Sequence, residues 1–138
     1  MDEVTVFLDT EINPTESEDK VTSAVGNIIG NAKITVKPAN KGSMLTAEAK
    51  GQDSLLKFRN LLRNDRVRDA SRKALFHSTR GNTIIFCLNK QVAFSGHISF
   101  CEETAESPLG PIRIRIETDD PSQLIEWLAE KSVNKKDF

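Results

Sequence analysis

The sequence predicts an α+β fold in a single domain, 1–138, with an antiparallel-rich sheet and helices packed chiefly on one face. Three observations carry this expectation. Residues 32–37 and 45–49 each alternate apolar and polar side chains, and the turn Asn40-Lys41-Gly42 between them marks a β-hairpin. Residues 111–117 alternate again, with Ile112, Ile114 and Ile116 inward and Arg113, Arg115 and Glu117 outward. Strands and helices come in same-type runs rather than in strict alternation, which favours an antiparallel sheet over a doubly wound parallel one.

Taken in order, residues 3–12 place Val4, Val6 and Leu8 against Thr5 and Asp9 and read as a strand. Phe7 interrupts the pattern, so both faces are expected to be partly covered. Asn13-Pro14 ends this strand, and Thr15-Glu16-Ser17-Glu18 has the spacing of a capping box. Glu16, Glu18 and Asp19 suit the positive end of a helix dipole, which explains this acidic cluster better than catalysis does. Val21, Ala24, Val25 and Ile28 follow at helical spacing, with Gly30 as the stop. After the hairpin, Asp53 is expected to cap a helix burying Leu55, Phe58 and Leu62. A second helix is predicted over 68–79, closed by Gly81, with the break at Asn64-Asp65-Arg66. The unbroken apolar run Ile84-Ile85-Phe86-Cys87-Leu88 suits a central strand covered on both faces. Residues 89–96 fit a short helix or a strand start, 97–101 an extended segment, and 102–110 a polar loop. Asp120-Pro121 opens a last helix bearing Leu124, Trp127 and Leu128, and residues 134–138 are expected to fray.

Composition is that of a soluble globular protein: 38% apolar and 28% charged over 138 residues. The start Met1-Asp2-Glu3-Val4 does not resemble a signal peptide, and no apolar run reaches the ~20 residues that span a bilayer. Two cysteines are too few for a disulfide framework, so reduced thiols and a cytoplasmic location are expected, with no membrane partner.

Charge is distributed unevenly. Residues 57–80 hold Lys57, Arg59, Arg63, Arg66, Arg68, Arg72, Lys73 and Arg80 against Asp65 and Asp69, a net +6 inside a chain of net −1. Such a dipolar pattern marks a surface that receives an anion, most naturally a phosphate backbone. Arg59 and Arg63, like Arg68 and Arg72, are four apart and share a helix face, while Lys73, His77 and Arg80 form a neighbouring ridge. The competing account is ion pairing with acidic surface, within the chain or across a homodimer.

Signals for chemistry are absent. Cys87, His97 and Cys101, with or without His77, lack the paired spacing of a zinc site, and Cys87 reads as a buried, inert thiol. On a strand, His97 and Cys101 would lie roughly 13 Å apart, too far to hydrogen-bond. The seven glycines form neither phosphate-loop motif. Phe7, Phe58, Phe86, Phe94 and Phe100 sit in apolar contexts and are expected in the core, so a base-stacking sheet is poorly supported. No catalytic residue, metal, cofactor or small-molecule substrate is therefore expected.

Three segments carry a family likeness. Asn13-Pro14-Thr15-Glu16-Ser17-Glu18, the stretch from Asn89-Lys90-Gln91-Val92-Ala93-Phe94 to Phe100, and Pro108-Leu109-Gly110-Pro111-Ile112 resemble signatures of the uncharacterised archaeal family UPF0201. The resemblance spans nearly the whole chain. It implies a curved antiparallel sheet like that of the large-subunit ribosomal protein that binds 5S rRNA, and an archaeal, cytoplasmic source. It transfers no catalytic residues. The function expected is non-catalytic binding of structured RNA, or association with the ribosome, through Arg59, Arg63, Arg66, Arg68, Arg72, Lys73 and Arg80. The alternative is a homodimeric protein-interaction module, joined through a sheet edge or the polar loop.

Overall fold

A computed structural model describes residues 3–64, 67–101 and 109–130. Strand β1 (Val4–Ile12) leads through a loop into helix α1 (Glu18–Ile28), then into the hairpin of β2 (Lys33–Pro38) and β3 (Ser43–Lys50). Helices α2 (Leu56–Asn64) and α3 (Arg68–His77) follow, then β4 (Thr79–Arg80), β5 (Thr83–Asn89), α4 (Lys90–Phe94) and β6 (Phe100–Cys101). The described chain closes with β7 (Pro111–Thr118) and α5 (Pro121–Leu128).

Among the described residues seven strands form one antiparallel sheet in the order β2-β3-β1-β7-β5-β4, with β6 also on the outer side of β5. Alternation decides its two faces. Val4, Val6 and Leu8 of β1, Leu45, Ala47 and Ala49 of β3, Ile84, Phe86 and Leu88 of β5, and Ile112, Ile114 and Ile116 of β7 are all buried. They join Val21, Val25 and Ile28 of α1, Phe58 and Leu62 of α2, Leu75 of α3 and Leu124, Ile125 and Leu128 of α5 in one core. The Phe58 ring stacks on Phe86 at 5.7 Å between centroids. Each such side chain, once buried, contributes about 1.5–3 kcal/mol. The opposite sheet face carries Thr5, Phe7, Asp9, Thr46, Glu48, Arg113, Arg115 and Glu117, and no helix among the described residues packs over it. No helix among the described residues is long and apolar enough to cross a membrane.

The predicted α+β class, the hairpin, the inward isoleucines of β7 and the Asp120-Pro121 helix start are all present. Asp120 accepts a hydrogen bond from the Gln123 N–H, as the cap requires. Other expectations need correction. The cap of α1 is Ser17, whose hydroxyl accepts from the Lys20 N–H, and not Thr15. Asp53 caps nothing: it sits in a single 3-10 turn, residues 52–55, before α2. Helix α3 stops at His77 because Thr79–Arg80 pairs with β5, so Gly81 serves that tight turn instead of ending a helix. β5 is not central. It lies beside the short edge strands β4 and β6, and Ile85 is 54% exposed on the open face. Phe7 is half-buried on the open face and Phe94 is 44% exposed, so neither belongs to the core. Of 97–101, only Phe100 and Cys101 are strand. The fraying tail and most of the polar loop lie outside the described residues.

Candidate nucleic-acid interface

Helices α2 and α3 present their arginines toward α5. Residues of α2 four apart share a face, and Phe58 and Leu62 occupy the buried one. Arg59 and Arg63 therefore flank the core and reach the end of α5. The Arg59 guanidinium lies 5.2 Å from the Trp127 ring centre, donates through Nε to the Trp127 carbonyl at 2.8 Å, and reaches Glu130 at 3.4 Å. Arg63 donates to the same Glu130 carboxylate at 2.6 Å. On α3, Arg72 binds both oxygens of Glu126 and rests against the Phe76 ring at 5.2 Å. Its hydrogen bonds to Glu126 stabilise the cation and raise its pKa further. Three of the predicted RNA-contacting arginines thus meet at one place, in an ion-pair lattice with Glu126 and Glu130.

The remaining predicted residues are placed differently. Arg68 is half-buried and Lys73 exposed on α3, and neither makes an ion pair among the described residues. Arg80 sits on β4 and donates to the carbonyls of His77 and Thr79, away from the lattice. Arg66 lies outside the described residues. Lys57 is turned toward α1, where it donates to the Gly26 carbonyl at 2.8 Å. The open sheet face is charged but balanced. Arg113 pairs with Asp9 at 2.6 Å, and Arg115 lies 4.5 Å from the Phe7 ring centre and 3.6 Å from Glu117. Among the described residues the α2–α3 surface carries five cations, Arg59, Arg63, Arg68, Arg72 and Lys73, against Asp69 and the Glu126 and Glu130 that meet it.

A second polar cluster was not legible as such in the sequence. Lys90, at the start of α4, is 4% exposed. Its ammonium donates to the Glu11 carbonyl (2.6 Å), the Leu109 carbonyl (2.8 Å) and the Glu16 carboxylate (3.0 Å). Glu16 also accepts from the backbone and side-chain N–H groups of Asn13. Burial alone would push the Glu16 carboxyl up; the Asn13 and Lys90 hydrogen bonds and the Lys90 charge outweigh it and hold its pKa below the ordinary value. The side chain assigned to starting α1 is therefore a partner of a buried lysine. All three segments that carry the family likeness meet here: the first through Asn13 and Glu16, the second through Lys90, the third through Leu109. That convergence was the available signal.

A family model described as RNA binding matches residues 5–118. Relatives named UPF0201 protein include one from Sulfurisphaera tokodaii, 41% identical over 127 residues, covering 92% of this chain and 88% of the relative. Another, from Saccharolobus solfataricus, is 39% identical over 131 residues, covering 95% and 90%. The crystal structure of the UPF0201 protein from Methanococcus jannaschii superposes with a TM-score of 0.80 at 30% identity, covering 91% of this chain and 98% of that one.

Proposed function

The chain belongs to the UPF0201 family, and on that premise we propose that it is an RNA-binding protein that grips phosphates with the α2–α3 surface. The observation that carries this reading is the cationic excess of that surface, inside the span matched by the RNA-binding family model. Glu126 and Glu130 hold Arg59, Arg63 and Arg72 in fixed positions, while Arg68 and Lys73 stand without a carboxylate partner among the described residues. Guanidinium groups held on helices suit backbone contacts to structured RNA, where shape and phosphate spacing matter more than base identity.

The test is binding of the intact chain to unrelated RNAs across a salt series. Each phosphate contact contributes a slope of roughly −0.7 in log K against log salt for single strands. The double variant Arg68→Ala, Lys73→Ala flattens that slope by roughly 1.4 units while circular dichroism shows an unchanged fold. Glu126→Gln with Glu130→Gln acts in the opposite sense, because carboxylates no longer compete for the arginines. A parent that fails to bind RNA at low salt overturns the reading and favours a homodimeric protein-interaction module.

A further inference from the structure

We propose that Cys87 and Cys101 are a disulfide-forming pair, a thiol site whose co-reactant is a low-molecular-weight disulfide. Thirteen residues separate them in sequence, yet β6 pairs with β5 so that Cys101 lies directly opposite Cys87. Both are thiols in this structure. The Asn89 N–H donates to the Ser99 carbonyl at 2.8 Å, which makes Asn89 and Ser99 a hydrogen-bonded pair of the ladder. Antiparallel ladders alternate, so Cys87 and Cys101, two positions along, form a pair of the same kind, with Cα atoms about 5.5 Å apart. A disulfide takes Cα separations of about 4.4–6.8 Å. Residues opposite one another point to the same side, and in a hydrogen-bonded pair the two Cβ atoms must draw together by about 1–2 Å. β6 is a two-residue edge strand, free of a further strand on its outer side among the described residues, so it can make that adjustment.

Access and reactivity fit the same assignment. Both cysteines line an open cleft of about 570 Å³, together with His77, Ile85, Phe86 and Phe100. Cys87 is 8% exposed and Cys101 half-buried, so Cys101 meets the reagent first. On its other flank Cys87 lies in register with Arg113 of β7, on the same side of the sheet. The Cys101 thiolate attacks one sulfur of the small disulfide; a mixed disulfide forms, and the first small thiolate leaves and takes a proton. The Cys87 thiolate then attacks Cys101 Sγ and expels the second small thiolate. Two protein thiols are oxidised by two electrons, and one small disulfide is reduced to two thiols. The new bond staples the segment that carries α4 and Lys90 to the sheet.

Oxidised glutathione added to the intact chain tests this. Expected are the loss of both thiols, a mass lower by two hydrogens, a peptide map linking Cys87 to Cys101, and a monomer on a non-reducing gel. The thermal midpoint rises by roughly 5 °C or more, as closing a short loop does. In Cys87→Ser the glutathione adduct stays on Cys101, and in Cys101→Ser Cys87 reacts much more slowly. A stable mixed disulfide on the parent, a bond between chains, or two unreacted thiols overturns the proposal. The parent measurements decide it even if a variant misfolds.

Discussion

Lys90 shows how one residue can fix three loops. A fully buried ammonium is costly unless every N–H finds an acceptor, and here the end of β1, the loop before α1 and the loop before β7 each supply one. Lys90→Ala leaves the nearly buried Glu16 carboxylate and two carbonyls without their donor. It is expected to cost about 3–5 kcal/mol in chemical denaturation. Lys90→Met combined with Glu16→Gln costs less than the two single changes summed, by roughly 0.5–3 kcal/mol. Strict additivity would show that the pair is not coupled. Acid acts through the same carboxylate. Its pKa in the folded protein is lowered from an ordinary value of 4.5, so its stabilising contribution is present above that value. It is lost as pH falls through the lower folded value. Stability of the parent therefore drops on acidification below pH 4.5, and Glu16→Gln flattens that limb of the curve.

The hairpin shows what an element owes to its neighbours. Alternation and the Asn40-Lys41-Gly42 turn suffice to foretell β2 and β3, because side-chain period is local. The strictness of Gly42 is not local. Its φ is +79°, and a Cβ there would lie 2.0 Å from the Ile12 carbonyl oxygen at the end of β1. Gly42→Ala is expected to destabilise by at least about 2 kcal/mol, measured by urea titration. Gly81, at φ +60° with nothing within 4 Å of its would-be Cβ, is the control, and Gly81→Ala costs only about 1 kcal/mol. Equal losses would mean that backbone conformation, and not the approach of β1, governs Gly42. The same dependence on neighbours explains Asp53 and Thr15. Their residue types suit caps, but the chain before α2 winds into a 3-10 turn, and α1 starts at Glu18 with Ser17 in the capping position.

At the scale of the molecule, the sheet binds early and late sequence together. β1 is flanked by β3 and β7, and β7 joins β1 to β5, so core strands from the first and second halves of the chain belong to one ladder. Unfolding either half alone would expose the buried isoleucines of β7 and the valines of β1. Trp127 fluorescence, reporting the α5–Arg59 contact, and far-ultraviolet circular dichroism are expected to give coincident transitions in urea. Two separated midpoints would show that the halves unfold independently. Burial on one face leaves the other face of the sheet open, where Arg113 pairs with Asp9 and Arg115 with Glu117. The arginine cluster of residues 59–72 is carried on the helical layer.

The sequence by itself determined the α+β class, the inward and outward faces of β1, β3 and β7, the hairpin, and the concentration of positive charge between residues 57 and 80. Each of these is a local property, set by side-chain period, turn chemistry or composition. Only the tertiary structure decided which carboxylates meet Arg59, Arg63 and Arg72, since Glu126 and Glu130 are more than fifty residues away. It alone placed Lys90 against Glu11, Glu16 and Leu109, and Cys101 opposite Cys87. Strand order and register are fixed by packing the whole apolar face at once, and no spacing along the chain encodes which distant residues that packing makes neighbours.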